Sequence, residues 1–237
     1  MNEPASFTSG YDEKCDFDSI FNNPAFVPNI RDRDHVTSKT SCLDAVQTYH
    51  DSQTQLFNTH SLFGYSQAEP TQSACYAATG KRCMIISRST YPGAQRYVQH
   101  WLGDNLSIWS HLKQSVIGMI EFSLFGFSYT GADICGHIGN AWYDLCLRWS
   151  MLGAFYPMSR NHNANFNRRQ DPAAWDVAFA HAVRDIYIER YRLLPYLYTL
   201  MFKANTNGDT VVRSLMMEFP ENRKTFQIDE QFLWGSD

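Results

Sequence analysis

The sequence predicts an α/β fold, the C-terminal half of a (β/α)8 TIM barrel, and three observations support this prediction. Helical and strand-like segments alternate from about residue 71 onward. Each of the four predicted strands follows a predicted helix, which is the order of parallel α/β structure. A complete barrel takes roughly 250 residues plus insertions, so four strands predict an incomplete barrel. An open doubly wound sheet is the competing architecture, but no glycine-rich phosphate loop supports it.

The first predicted β/α step follows a long irregular stretch. Residues from Asn2 to about His60 are rich in Asn, Asp, Ser, Thr and Pro and have little periodicity. A short helix is predicted for residues 71–78, with Thr79-Gly80 as its stop. The apolar run Cys83–Ser87 then predicts the first strand.

The second step is the clearest. Apolar side chains recur at helical spacing between Asn105 and Phe125, which predicts a helix that ends at Gly126. The following run, residues 127–132, predicts a short strand.

Two further steps complete the alternation. Residues 140–152 predict a helix and residues 154–158 a strand, followed by a long helix over 172–204 that Pro195 is expected to kink. Residues 211–215 predict the last strand. The whole chain is thus predicted to be part of one barrel domain, with an irregular excursion over 1–70, β/α units over 71–219 and the start of a following region over 220–237.

Composition excludes several classes of partner. The formal net charge is -4 and the pI about 6.0, so no basic surface for nucleic acid or anionic membrane is expected. The sequence contains no run of 18 apolar residues, so no membrane span is predicted. The first residues do not resemble a signal peptide. No C-x-x-C pair predicts a zinc or redox motif. A neutral partner is favoured.

Polar residues follow each predicted strand, where a parallel barrel carries its functional groups. They are Arg88-Ser89-Thr90, His100-Trp101-Leu102-Gly103-Asp104-Asn105, Asp133, Arg160-Asn161-His162-Asn163 and Glu218. Carboxylates, arginines, a histidine and a tryptophan at one mouth can bind and hydrolyse a sugar. The alternative is ordinary loop polarity with structural ion pairs.

These residues resemble glycoside hydrolase family 31, the α-glucosidases, and the animal maltase, sucrase-isomaltase and lysosomal acid α-glucosidase subgroup is the nearest. The resemblance runs from Met1 to about Gly235. Five blocks match the family in order: Met1–Phe7, Ile86–Thr90, His100–Asn105, Gly131–Gly136 and Ser159–Asn163.

The resemblance implies a retaining hydrolysis of terminal α-linked glucose from maltose, starch or glycogen-type chains, without a metal or organic cofactor. Asp104 would be the acid and later the base, so its carboxyl must hold a proton when the leaving oxygen departs. Asp104 also precedes a predicted helix, where an N-cap role is compatible. The nucleophile would be an Asp directly before Met1, so we expect the 237 residues by themselves to be inactive. We also expect them to fold poorly in isolation, because half a barrel exposes a strand edge.

Substrate-binding positions carry over one at a time. Arg88 and His162 match residues that hydrogen-bond sugar hydroxyls, and Trp101 would form an apolar wall of the same subsite. Met1 would line it beside the nucleophile.

Three further residues are assigned to the floor and wall of the pocket. Asp133 and Arg160 match family positions there, with a buried structural ion pair as the alternative. His137 is a departure, because the family usually has Phe at this place. A polar ring in place of an aromatic wall is expected to change affinity or pH dependence.

The cysteines leave two possibilities, reduced buried thiols or disulfides. The resemblance implies the disulfides Cys15–Cys42 and Cys135–Cys146 and a secretory compartment, whether extracellular, cell-surface or lysosomal, with any membrane attachment outside this sequence. Cys75 and Cys83 are then expected to be spare. The triplet Asn105-Leu106-Ser107 matches the N-glycosylation signal but lies beside Asp104 at a helix start, so we expect it to be unused.

Two rival functions remain. A non-catalytic sugar-binding relative would use Arg88, Trp101 and His162 without turnover, and an uncharged residue before Met1 would favour it. A relative with the same machinery but specificity for xylosides, or a lyase outcome, would be exposed by substrate profiling.

Overall fold

The computed structural model describes residues 3–5, 15–28 and 35–236. The chain divides into two compact units. The first comprises Met1–Cys83 with Ser89–Ala94, and the second comprises Met84–Arg88 with Gln95–Asp237.

The first unit contains regular structure that the sequence did not indicate. Strands β1 (Val46–Tyr49) and β2 (Ser52–Gln55) form an antiparallel hairpin, and α1 (Leu56–Thr59) follows directly. Helix α2 spans Phe63–Thr79 and ends at Gly80 in the left-handed conformation, as predicted for its end.

The start predicted for α2, residue 71, was wrong. Pro70 lies inside the helix, and a proline ordinarily marks a first turn. Gly64, in the first turn of the helix, packs closely, since a Cβ there would lie 2.4 Å from the carbonyl oxygen of Ser89. Such close packing leaves no periodic signal in the sequence.

All six cysteines are paired. Cys15–Cys42 and Cys135–Cys146 are the two disulfides that the family resemblance implies. Cys75–Cys83 is a third, which joins the last turn of α2 to the segment just after it, so the prediction that these two are spare was wrong.

The second unit carries the parallel strands. Strands β3 (Ile86–Ser87), β4 (Gln99–Trp101) and β5 (Thr130–Gly131) form one parallel sheet with β4 in the middle, and β6 (Asp133–Ile134) pairs with β7 (Arg160–Asn161) in parallel. These five strands do not close into a barrel within the described ranges. Strand β4 was not predicted, because its three residues fall in a segment that was assigned to a loop.

Three helices pack behind these strands: α3 (Trp109–Leu124), α4 (Tyr143–Gly153) and α5 (Val177–Asn207). Their inner faces meet around a core that includes Met119, Ile134, Leu145, Trp149 and Phe179. Burial of these side chains, each contributing about 1.5–3 kcal/mol by transfer from water, stabilises this unit. The predicted helices over 105–125, 140–152 and 172–204 correspond to α3, α4 and α5, with shifted ends.

The strand predicted for residues 154–158 was wrong. The guanidinium of Arg190, on α5, donates to the carbonyl oxygens of Ala154, Tyr156 and Pro157 at 2.6–2.9 Å. These carbonyls therefore bind a side chain instead of a neighbouring strand, and the strand β7 forms two residues later.

The last predicted strand has a different partner from that expected. Within residues 211–215, β8 (Val212–Arg213) pairs antiparallel with β9 (Leu233–Trp234). It is therefore not a parallel strand of the sheets above. Helix α6 (Leu215–Glu218) follows it at once, capped by the Ser214 hydroxyl.

Among the residues described, no helix combines the length and the apolar composition that a membrane crossing requires.

Candidate active site

The parallel strands bring most of the predicted site residues to one edge. Arg88 follows β3, Asp104 comes three residues after β4, His137 three residues after β6, and His162 directly after β7. Because parallel strands point the same way, their carboxyl ends share an edge.

Arg88 and Asp104 form the first contact of the site. Nη1 of Arg88 lies 3.1 Å from Oδ2 of Asp104, and both side chains are partly exposed. Gly103 lies between β4 and Asp104 with φ +80°, and a Cβ there would lie 2.9 Å from Cδ of Arg88. A glycine is thus required for both the turn and the approach of Arg88.

Asp133 is fully buried beneath this pair. Nη1 of Arg160 is 3.2 Å from its Oδ1 and forms an ion pair with it, while neither carboxylate oxygen of Asp133 has a hydrogen-bond partner among the described residues. Burial raises the pKa of Asp133 to about 6, and Arg160 and then His137 oppose that rise. Both readings of Asp133 and Arg160, a structural ion pair and a pocket floor, fit this geometry.

His137 lies between the two carboxylates. Its Nε2 is 3.9 Å from Oδ1 of Asp104, and its Nδ1 is 3.9 Å from Oδ2 of Asp133. The rings of His137 and His162 stack with centroids 4.9 Å apart. Burial, followed by the charge of Arg160, lowers the pKa of His162.

The other residues predicted for the site, Trp101, Met1 and Glu218, do not all lie with this cluster. The ring of Trp101 lies 5.8 Å from Cζ of Arg160, which places it beside the cluster. Met1 lies outside the described residues. Glu218 forms an ion pair with Arg213, and among the described residues it makes no hydrogen bond or ion pair with the cluster.

Asn105 is a structural residue of the site that the sequence did not reveal. Its Nδ2 donates to the carbonyl oxygen of Asp133 at 2.9 Å, and its Oδ1 accepts from the backbone N–H of His137 at 2.9 Å. Its side chain thereby joins the loop after β4 to the turn after β6. The same bonds occupy the amide of a 9% exposed side chain, which agrees with an unused glycosylation triplet.

Gln170 is a second such residue. Its Nε2 lies 3.1–3.2 Å from the carbonyl oxygens of Ile134, Gly136 and His162, so one buried amide holds two loops of the site. No sequence motif marks this role, since it depends on a contact between loops that are distant in sequence.

His100 supports the strands below the site. Its Nδ1 lies 3.1 Å from the carbonyl oxygen of Ser87, and its ring stacks on Phe122 at 3.6 Å. Burial lowers its pKa to about 4, so the ring is neutral at pH 7. It is a packing and hydrogen-bonding group, although it belongs to a family block.

The cluster combines an exposed carboxylate, two guanidinium groups, two imidazoles and a buried carboxylate. Such a group can donate a proton and hydrogen-bond several hydroxyls of one polar ligand. The Arg88–Asp104 and Arg160–Asp133 pairs leave the cluster nearly neutral, which suits an uncharged ligand.

Comparison with known proteins shows which family the chain belongs to. Residues 1–200 match the TIM-barrel domain of glycosyl hydrolases family 31, and residues 208–237 match the C-terminal domain of that family. The match confirms the barrel class predicted from the sequence.

The chain is 50% identical over 238 residues to intestinal sucrase-isomaltase of Homo sapiens, covering 99% of this chain and 13% of the relative. It is 41% identical over 235 residues to lysosomal alpha-glucosidase of Mus musculus, covering 99% of this chain and 24% of that protein. The crystal structure of the family 31 alpha-glucosidase from Bacteroides thetaiotaomicron superposes with a TM-score of 0.73 at 34% identity, over 80% of this chain and 33% of that one. The chain spans less than a quarter of the length of the sucrase-isomaltase and of the lysosomal alpha-glucosidase. The family match and these identities show that the chain belongs to glycosyl hydrolase family 31.

Proposed function

We propose that this chain carries the acid–base half of a retaining α-glucosidase site that removes terminal α-linked glucose from maltose, starch or glycogen-type chains. The proposal is supported by one observation: Arg88, Asp104, Asp133 and His162 lie close together at the carboxyl ends of the parallel strands. The names of the relatives, a sucrase-isomaltase and an alpha-glucosidase, support the substrate class.

Asp104 is the proposed acid and base. It would donate a proton to the glycosidic oxygen as the C1–O bond breaks, while a nucleophilic carboxylate bonds to C1. In the second step a water would attack C1 as the bond between C1 and the nucleophilic carboxylate breaks, and Asp104 would take the proton of that water. Arg88, 3.1 Å away, would orient the carboxylate between these steps.

The nucleophile implied by the family resemblance is an Asp directly before Met1, a position that the printed sequence does not include. Direct attack would require it about 5–5.5 Å from Asp104. Sequencing the transcript upstream of the Met1 codon tests this step. An Asp codon there supports the enzyme, whereas a codon for an uncharged residue favours the sugar-binding relative.

The remaining residues would hold the sugar. Arg88 and His162 would donate to hydroxyls of the first subsite, Trp101 would supply an apolar wall, and the Asp133–Arg160 pair would form the floor. Met1 would stand beside the nucleophile.

The architecture proposed for this function is one catalytic domain. Residues 71–219 would supply part of a (β/α)8 barrel, residues 1–70 an excursion after the nucleophile strand, and residues 220–237 the start of the next region. The three disulfides suit a protein of the secretory pathway, at the cell surface, outside the cell or in the lysosome.

The decisive experiment replaces Asp104 in the protein that the complete transcript encodes. Asp104→Ala is expected to lower kcat/KM for maltose by about 10²- to 10⁴-fold, since protonation of the leaving group is lost. α-Glucosyl fluoride should be less affected in its first step, because fluoride leaves without a proton. Azide should then accelerate turnover by attacking C1 of the glycosyl-enzyme, and the carboxylate would depart with its electron pair to give α-glucosyl azide.

The matched control is Asp209→Asn, which changes an exposed carboxylate far along the chain and should leave maltose hydrolysis unchanged. Unaltered hydrolysis by Asp104→Ala would overturn the assignment. Glucose binding without any turnover in the unsubstituted protein would establish the non-catalytic alternative.

A further inference from the structure

The proposed reaction uses Asp133 and His162 to hold the sugar, but it gives no role to the close grouping of this buried carboxylate with the imidazoles of His137 and His162. Asp133, His137 and His162 each present one potential ligand atom, and these atoms all lie within 4.8 Å of one another. Asp133 is 0% exposed, and His137 and His162 are half-buried above it.

Three atoms of this group have no hydrogen-bond partner among the residues that the structure describes. They are Oδ1 and Oδ2 of Asp133 and Nδ1 of His137. Buried polar atoms are ordinarily hydrogen-bonded, because an unmade bond costs about 1–3 kcal/mol. Oδ2 and Nδ1 lie 3.9 Å apart, too far for a hydrogen bond and close to the separation of two ligands on one metal ion.

The donor set specifies the class of ion. Two imidazoles and one carboxylate suit Zn²⁺ and related transition-metal dications, whereas Ca²⁺ and Mg²⁺ prefer oxygen ligands. Ligand atoms on a tetrahedral Zn²⁺ lie about 3.4 Å apart. The present separations, none of which exceeds 4.8 Å, would have to shorten by at most about 1.4 Å to match that geometry.

The backbone around His137 is already held in place. Its N–H donates to the side chain of Asn105, and its carbonyl oxygen accepts from Nδ2 of Asn167 at 2.7 Å. Gln170 ties the carbonyls of Gly136 and His162 together. A prearranged ligand set loses less entropy when an ion binds.

The charges around the cluster permit a dication to bind. The positive charge of Arg160, whose Nη1 lies 3.2 Å from Oδ1 of Asp133, would repel the ion. The negative charge of Asp104, whose Oδ1 lies 3.9 Å from Nε2 of His137, would attract it. The formal charges of Arg88, Arg160, Asp104 and Asp133 cancel. Oδ2 of Asp133, which faces His137, remains the oxygen available to the ion.

We propose that Asp133, His137 and His162 form a binding site for a transition-metal dication such as Zn²⁺, and that the bound ion excludes sugar from the same mouth. His137 completes the ligand set, so the departure from the phenylalanine usual in the family is what creates the site. The exclusion of sugar rests on the proposed function, because Asp133 and His162 are shared by the two ligands, whereas the binding of the ion does not.

The test measures Zn²⁺ and glucose binding separately, in the protein that the complete transcript encodes. Zn²⁺ is titrated against a chromophoric chelator, and Co²⁺ provides a visible absorption band as a second readout. His137→Phe is expected to weaken Zn²⁺ binding by at least about 100-fold. The reason is that loss of a residue that only hydrogen-bonds a metal ligand already lowers metal affinity by about 10- to 100-fold. His181→Gln, which removes an exposed histidine of α5, should bind Zn²⁺ as the unsubstituted protein does.

Glucose binding is then measured with EDTA and with saturating Zn²⁺. Zn²⁺ should raise the apparent Kd for glucose at least about tenfold in the unsubstituted protein and leave it unchanged in His137→Phe. Equal Zn²⁺ affinity of the two proteins would overturn the site, and glucose binding that is indifferent to Zn²⁺ would overturn the exclusion. Absence of glucose binding in EDTA would contradict the proposed function while leaving the metal site standing on the first titration.

Discussion

The guanidinium of Arg88 lies 3.1 Å from the carboxylate of Asp104, although 15 residues separate them in sequence. The pairing arises because β3 and β4 are parallel neighbours, so that the residues after each strand meet. Arg88 therefore has two roles in the proposed site, to bind a hydroxyl and to orient the acid.

Replacing Arg88 with methionine tests the orienting role. Arg88→Met is expected to lower kcat/KM for maltose by about 100-fold, because a catalytic group displaced by about 1 Å loses that much. The matched control is Arg184→Met, which removes an exposed Arg184–Asp185 ion pair and should leave the kinetics unchanged. Kinetics of Arg88→Met within a factor of two of the unsubstituted protein would show that the pair has no function.

Gly103 permits a second, sterically defined change. Gly103→Ala places a Cβ 2.9 Å from Cδ of Arg88 at φ +80°, whereas Gly208→Ala has a similar φ of +78° and nothing within 4 Å. Both variants should lose about 1–2 kcal/mol of stability from the left-handed backbone. Only Gly103→Ala should also lose maltase activity, and equal activity of the two variants in steady-state assays would argue against the predicted displacement of Arg88.

His100 predicts a dependence of stability on pH. Burial lowers its folded pKa to about 4 from 6.5, so the unfolded chain binds the proton more readily. Its stabilisation is fully present above pH 6.5 and is lost as the pH falls toward 4, amounting to about 3 kcal/mol. Urea unfolding at several pH values should show this slope.

His100→Gln should flatten the slope between pH 6.5 and 4, although it also lowers stability at neutral pH through the lost stacking on Phe122. The control is His181→Gln, which should show the same dependence of stability on pH as the unsubstituted protein. If the slope persists in His100→Gln, other groups cause it.

Gln170 predicts a loss of stability together with a loss of site order. Gln170→Leu keeps the volume but leaves up to three buried carbonyls without a donor, which should cost about 2–4 kcal/mol. Gln227→Leu, an exposed counterpart, should change stability by less than about 0.5 kcal/mol. Differential scanning calorimetry distinguishes the two, and an unchanged transition in Gln170→Leu would show that the carbonyls find other partners.

Long periodic segments were the predictable part of the fold. Helix α3 was predicted from its apolar spacing, which arises because one face of the helix is buried. Helices α4 and α5 were predicted as helical segments as well. The parallel strands are two or three residues long, and such short elements carry no period. Strand β4 was accordingly missed, and residues 154–158 were wrongly assigned to a strand because Arg190 satisfies their carbonyls.

By itself the sequence determined the family, the barrel class and the identity of the polar residues after each strand, because ordered motifs and their residue types do not depend on distances. Only the tertiary structure decided which of those residues meet. It placed Arg88 against Asp104, buried Asp133 beneath His137, and separated Glu218 by pairing it with Arg213. It also revealed Asn105 and Gln170 as the amides that hold the loops, since a hydrogen bond between residues about 30 apart leaves no local pattern to read.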